Sequence, residues 1–221
     1  LRKEKGFDEV LCSVDFDSYA KKRDEDIANI LPIRRFIDSF ILNPNDHLKN
    51  DGTPYKVFTP FYKSLNMITS SNSIETFIRN IELEKAEFNY EKFPTFEELG
   101  FIKQQLPSFL NKSAITLLDE FKEKIDNYKT DRDFFYKNAS SNISVHLRFG
   151  LISAKEVFNY FKSIENIDSD FFVREIFWRE FYNYILFHYP YSENSNFNKI
   201  KLSSPKIKIK EFSLRKENPL N

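Results

Sequence analysis

The stretch Phe171–Tyr189, FFVREIFWREFYNYILFHY, decides the fold. It holds no glycine or proline, and Pro190 stops it, so its length and composition predict one long helix. Apolar and aromatic residues fall on nearly every side, which predicts burial all round. Arg174, Glu175, Arg179 and Glu180 nevertheless sit in its middle, where a charge is costly unless it is paired or used. Glu175, Trp178, Arg179 and Tyr182 recur at helical spacing and share one face. That face lines a cleft, or Glu175 and Arg179 form an intrahelical ion pair beside core aromatics. Ser169 or Asp170 is the expected cap.

Immediately upstream, Ser153 and Glu156 have capping-box spacing at the head of a helix containing Val157, Phe158 and Phe161. Before that, Ala114, Leu117, Leu118, Phe121 and Ile125 keep three-four spacing and predict a further amphipathic helix. Between these two lies YKTDRDFFYKNASSNISVHLRFG, residues 128–150. Ser140, Ser141 and Ser144 cluster there at the expected start of a helix, where hydroxyls and free backbone N–H groups suit a phosphate. Ser and Asn are also ordinary N-caps, so the pattern alone does not choose between the two roles.

The first part of the chain reads differently. Glu9–Asp15 is an expected strand and Tyr19–Leu31 an expected helix ending before Pro32, which together suggest an α/β element. Asn, Asp, Gly52 and Pro54 crowd between Pro44 and Tyr55 and mark a domain edge. Residues 56–109, with Pro60, Pro94 and Pro107, read as a long connector crossing a surface with some short helices.

Composition limits the function classes. The 221 residues include 25 Phe and 11 Tyr, and the 41% hydrophobic share is that of a folded protein. Cys12 is the single cysteine, so no internal disulfide framework and no thiolate metal site are expected, and a cytoplasmic location is the default. No apolar run approaches the roughly 20 residues of a membrane span. His47, His146 and His188 are too scattered for a metal or triad site; His146 and His188 are expected inside helices as hydrogen-bonded residues, and His47 in a solvated turn. There is no P-loop, GxGxxG or GxSxG pattern. Lys and Arg balance Asp and Glu at 33 each, but residues 199–217 carry seven basic residues against two acidic ones, a net of +5 that the remainder offsets. Such a tail suits phosphates or is a solvated connector.

Four blocks in order resemble the DNA photolyase and cryptochrome family, most closely the bacterial cyclobutane-pyrimidine-dimer photolyases. They are SVDFDSYAKKRD from Ser13, GTPYKVFTPFYKSL from Gly52, the segment Tyr128–Ser153, and REIFWREFYNYIL from Arg174. The last is the most specific. The resemblance implies an α/β plus all-α fold: the end of a Rossmann-like α/β antenna domain over residues 1–45, an interdomain connector over 46–109, and the first part of a helical FAD-binding domain over 110–221. It implies flavin adenine dinucleotide contacts at Tyr128, Ser140, Ser141, Asn142, Ile143, Ser144 and Phe172. Glu175 and Trp178 match positions that face a flipped-out pyrimidine dimer and are the implied catalytic residues; Arg132 and Arg179 match basic positions beside the DNA or flavin, and with Tyr182 they complete the implied DNA-binding set.

The implied activity is light-driven repair of such dimers in damaged DNA by electron transfer from reduced FAD, with cryptochrome-type photoreception as the alternative. Proton donation by Glu175 would require its protonated form. A folate or deazaflavin antenna pigment is an open implication, and no membrane or obligate protein partner is implied. Some positions depart from the family pattern: Ser13 replaces its usual Asn, Ala139 its Gly, Ser140 its Thr, and Phe172 a frequent Trp. The family's later blocks, with its tryptophan electron-transfer chain, have no counterpart in these residues, and Trp178 is the single Trp. A partial chain, about half the family's length, is therefore expected.

Overall fold

The computed structural model describes residues 8–71, 74, 94–102, 105 and 107–197. The lysine-rich stretch and most of the segment between residues 72 and 93 lie outside these. Strand β1 (Val10–Ser13) pairs in parallel with β2 (Ile33–Phe36), Val10 opposite Ile33. Parallel strands need a crossover, and helix α1 (Ser18–Ala28) supplies it, capped by Asp17, whose carboxylate accepts from the Ala20 N–H at 2.7 Å. The expected strand-then-helix unit is thus present with tighter limits.

Helix α2 (Phe58–Ser71) follows, where surface-crossing chain with short helices is expected from the sequence. Pro60 falls in its first turn, where a missing N–H costs no intrahelical bond, so the proline is compatible with the helix. Phe58, Phe61 and Leu65 are buried along one face. The later helices are α3 (Ala114–Lys122), α4 (Tyr128–Asp131), α5 (Ser144–Arg148), α6 (Ala154–Lys162) and α7 (Ile167–His188). The capping box at Ser153 and Glu156 forms in full. The cap of α7 is Asn166, three residues before Ser169; its side chain accepts from the Asp168 N–H, and Ser169 is buried, donating to the Phe161 carbonyl at 2.6 Å.

α7 is the axis of the core. Phe172 packs with Phe121 of α3 and Phe161 of α6, both at 4.7 Å between ring centroids. Phe177 stacks on Phe158 of α6 at 5.6 Å and meets Tyr62 of α2 at 5.8 Å. One turn on, Phe61 of α2 contacts Phe181 and Tyr184. Near the C-terminal end Phe187 closes on Phe16 and Phe40, which carries the same core into the sheet unit. Each such ring contributes on the order of 1.5–3 kcal/mol through burial. Among the described residues no helix is long and apolar enough to cross a membrane.

His47, expected in a solvated turn, is instead buried at 3% exposure. It lies against Tyr55, Phe61 and Tyr184, with Nε2 3.1 Å from Ser64 Oγ. The turn residues around it are polar, but α2 and α7 close over this one ring. His146 and His188 take the expected hydrogen-bonded roles, on the carbonyls of Lys112 and Pro44.

Two measurements check this packing. Phe177→Ala should cost about 3–5 kcal/mol in denaturant unfolding, whereas Tyr182→Ala, on a 65% exposed residue, should cost less than about 1. Burial, then the neighbouring His188, lowers the His47 pKa to about 4. The unfolded chain therefore takes up a proton near pH 6.5 that the folded state refuses, and the His47 contribution to stability is lost as pH falls from about 6.5 to about 4. That slope should be absent in His47→Asn.

Candidate functional site

A cavity of about 1040 Å³ opens where the sheet unit meets the helices. Three backbone features shape the wall built by residues 140–152. Asn138 and Asn142 adopt left-handed φ of 45° and 56°, a conformation Asn tolerates better than most residues, and these turns carry the chain into α5. Gly150, with φ of 66°, ends α5, and the Leu151 N–H returns to the His146 carbonyl at 2.9 Å, as in a Schellman turn. Ser140 Oγ lies 3.2 Å from Asn142 Oδ1, so one loop holds a compact set of hydroxyl, amide and backbone groups facing the cavity.

The opposite wall is α7, through Phe172, Glu175, Ile176, Arg179 and Asn183. The third side comes from the sheet unit: Ser13 to Phe16, Arg23, Asp38 and Ser39. Here Ser13 donates to Asp38, and Arg148 of α5 reaches Asp15 at 3.5 Å, tying two sides together.

Of the two alternatives for Glu175 and Arg179, the intrahelical ion pair does not form, and both residues line the cavity. Glu175 binds Arg132, whose guanidinium also lies 5.9 Å from the centre of the Tyr128 ring. Arg179 turns the other way and donates to the Ser39 carbonyl at 2.9 Å. Tyr128 is buried against Phe121 and Phe172, and burial, then the charge of Glu175, raises its pKa. Asp168, in the first turn of α7, fixes this corner by accepting from the N–H groups of Asn127 and Lys129 at 3.2 and 3.0 Å.

The site residues expected from sequence therefore fall into three groups. Ser140, Ser141, Asn142, Ile143, Ser144, Phe172, Glu175 and Arg179 share the cavity lining. Tyr128 and Arg132 join it through Glu175. Trp178 and Tyr182 stand outside that lining and form a separate stack: Trp178 lies on Phe58 at 3.5 Å and 9°, and Tyr182 stacks on Trp178 at 5.7 Å. Sequence reasoning missed Arg23, Asp38, Ser39, Arg148 and Asn183. Arg148 sits in the recognisable block HLRFG and was within reach; Asp38 and Ser39 carry no local signal.

The charge pair and the carboxylate cap make different demands. An exposed ion pair is worth at most about 1 kcal/mol, so Arg132→Ala should barely move stability. Asp168→Ala removes the charged acceptor of two solvent-accessible backbone donors and should cost about 1–2 kcal/mol, as the loss of a cap does. Urea unfolding of the two variants compares them directly; a larger loss in Arg132→Ala would mean that the ion pair, not the cap, holds this corner.

Residues 1–76 match the family model described as DNA photolyase. A deoxyribodipyrimidine photo-lyase of Alkalihalophilus pseudofirmus is 28% identical over 196 residues, covering 83% of this chain and 41% of the relative. One of Halobacterium salinarum is 26% identical, covering 80% and 41%. The chain thus spans less than half the length of these curated relatives. Among solved structures, a bacterial class III photolyase from Agrobacterium tumefaciens superposes with a TM-score of 0.67 at 25% identity, over 88% of this chain and 44% of that one. A Synechocystis cryptochrome gives 0.65 at 18% identity, over 85% and 43%, a likeness of fold alone. Four ordered sequence blocks, a parallel strand pair leading into a helical core, and these matches show that the chain is similar to DNA photolyases, and in fold to a cryptochrome.

Proposed function

We propose that this chain supplies part of a flavin-dependent, light-driven enzyme that repairs cyclobutane pyrimidine dimers in DNA, a deoxyribodipyrimidine photo-lyase. The observation that carries the reading is the single cavity that joins the Ser140–Ser144 loop to Glu175 and Arg179 of α7. In this reading residues 1–45 end an α/β domain, 46–109 connect, and 110–221 begin the helical flavin domain, with α2 of the connector packed into the helical core.

The donor set fits FAD. Hydroxyls of Ser140, Ser141 and Ser144, with the amide of Asn142 and nearby backbone N–H groups, suit phosphate oxygens. Phe172 and Ile143 give apolar surface beside them, and Tyr128 backs Phe172 from behind. When bound, reduced FAD supplies the light-driven transfer of one electron to the dimer, and the protein supplies position and polarity. A folate or deazaflavin antenna pigment would leave the roles of these residues unchanged.

Glu175 lines the cavity within its α7 wall and is paired with Arg132. As a carboxylate it accepts hydrogen bonds, and the imide N–H of a pyrimidine is the donor it fits. This differs from a proton-donating role and needs no protonated carboxyl. Arg132 would then turn to a DNA phosphate, and Arg179 adds positive charge to the cavity wall. Trp178 already stacks on Phe58 and on Tyr182. A flipped pyrimidine that stacks on Trp178 would compete with these neighbours, of which Tyr182 is 65% exposed, and a lesion that is already distorted leaves the helix at lower cost.

The test is illumination with blue light of the complete protein that carries this chain, with an oligonucleotide containing one thymine dimer. Dimers should disappear only in the light, and Glu175→Ala should lower the repair yield roughly tenfold or more, the effect of losing one hydrogen bond to a charged group at the reacting base. A flavin-loaded protein that shows no light-dependent loss of dimers would support photoreception of the cryptochrome type instead.

A further inference from the structure

Next to Arg179 on α7 stands Glu180, which is only 2% exposed. Its Oε1 accepts from two successive backbone N–H groups, Ile41 at 2.7 Å and Leu42 at 3.2 Å. Arg179 donates to the carbonyl of Ser39, just upstream on the same segment. Two neighbouring side chains of one helix thus grip one stretch of loop at opposite polarities, an acceptor on its donors and a donor on its acceptor. The stretch leads directly out of β2, and its first residues, Asp38 and Ser39, form part of the cavity wall.

We infer that Arg179 and Glu180 are positioning residues: together they clamp the Ser39–Leu42 backbone to α7 and so set where Asp38 and Ser39 stand in the cavity wall. The role is independent of what fills the cavity. Phe40, packed on Phe16 and Phe187, and the buried Ile41 also hold this segment against α7, but apolar packing leaves its buried backbone groups without partners. Directed hydrogen bonds specify one register.

The carboxyl does this work as a neutral group. Burial pushes Glu180 up to about 8, against the opposing pull of the Leu42 and Ile41 amides, Arg179 and Lys155. The charges acting on it are Arg179 on its own helix and Lys155 on α6, while the 39–42 segment presents only backbone groups. Among the described residues Glu180 Oε2 has no hydrogen-bond partner, and the same holds for Ser39 Oγ. An unpartnered hydroxyl is far cheaper to bury than a bare carboxylate oxygen. Because the unfolded chain releases this proton in the ordinary carboxylate range, the clamp's contribution to stability shrinks as pH rises from about 4.5 to about 8. Ionisation above that leaves a buried charge at the joint.

Amide hydrogen exchange on the complete protein tests this without any activity measurement. Glu180→Gln keeps a neutral acceptor in the same place and should leave protection of the 39–42 amides within about twofold of the parent. Glu180→Leu keeps the volume but no acceptor and should expose them roughly tenfold or more, with α6 amides unchanged. A pH series from about 6 to 9.5, corrected for intrinsic exchange, should show protection at 39–42 falling in the parent and staying level in Glu180→Gln. That series stands even if Glu180→Leu does not fold. The inference is overturned if Glu180→Gln exchanges as fast as Glu180→Leu, if Glu180→Leu folds with full protection, or if the parent is level with pH.

Discussion

The arrangement of elements in this structure depends on a helix that buries apolar residues on most sides and has four ionisable residues, Arg174, Glu175, Arg179 and Glu180, to place in its middle. α7 buries Phe172, Val173, Ile176, Phe177, Phe181, Tyr184 and Ile185, so other elements must surround it. Its polar groups then decide how those elements sit. Glu175 reaches toward α4, Arg179 and Glu180 reach toward the loop after β2, and Arg174 lies over the Phe58 and Tyr62 rings of α2. Apolar contacts supply most of the stabilisation but tolerate sliding. The polar groups, each expensive to bury unpaired, choose one arrangement among many. The cavity is the space left between three elements held in this way.

Much of this was legible because it is local. The capping box at Ser153, the three-four spacing in α3, the strand followed by a helix at the start, and the stop at Pro190 depend on neighbours within a few residues; the second strand, Ile33–Phe36, and its parallel pairing were not foreseen. What was not legible depends on distant partners. No spacing rule tells Glu175 to prefer Arg132, 43 positions away, over Arg179 one turn along its own helix. The same blindness hid His47, whose polar surroundings in sequence give no sign of the rings that cover it in space. Phe58–Ser71 misled for another reason: Pro60 reads as a breaker until the helix start is placed just before it.

The candidate site divides in the same manner. The serine-rich loop and the α7 face were found from residue type and spacing, and the structure brings them to one cavity. Trp178 shares the α7 face by spacing, yet α2 covers one side of its ring, a contact that helical periodicity cannot foresee. In the proposed function this matters chemically. The groups suited to a nucleotide line the cavity together with Glu175, whereas the aromatic stack suited to a base stands outside that lining.

The central claim is that this cavity seats the flavin nucleotide, and a structure of the complete protein with FAD bound tests it most directly. The account requires the pyrophosphate oxygens to lie about 3 Å from donors of the Ser140–Ser144 loop, with the cofactor passing along the Phe172 and Glu175 side of α7. A flavin seated elsewhere, with this cavity filled only by water, would contradict it.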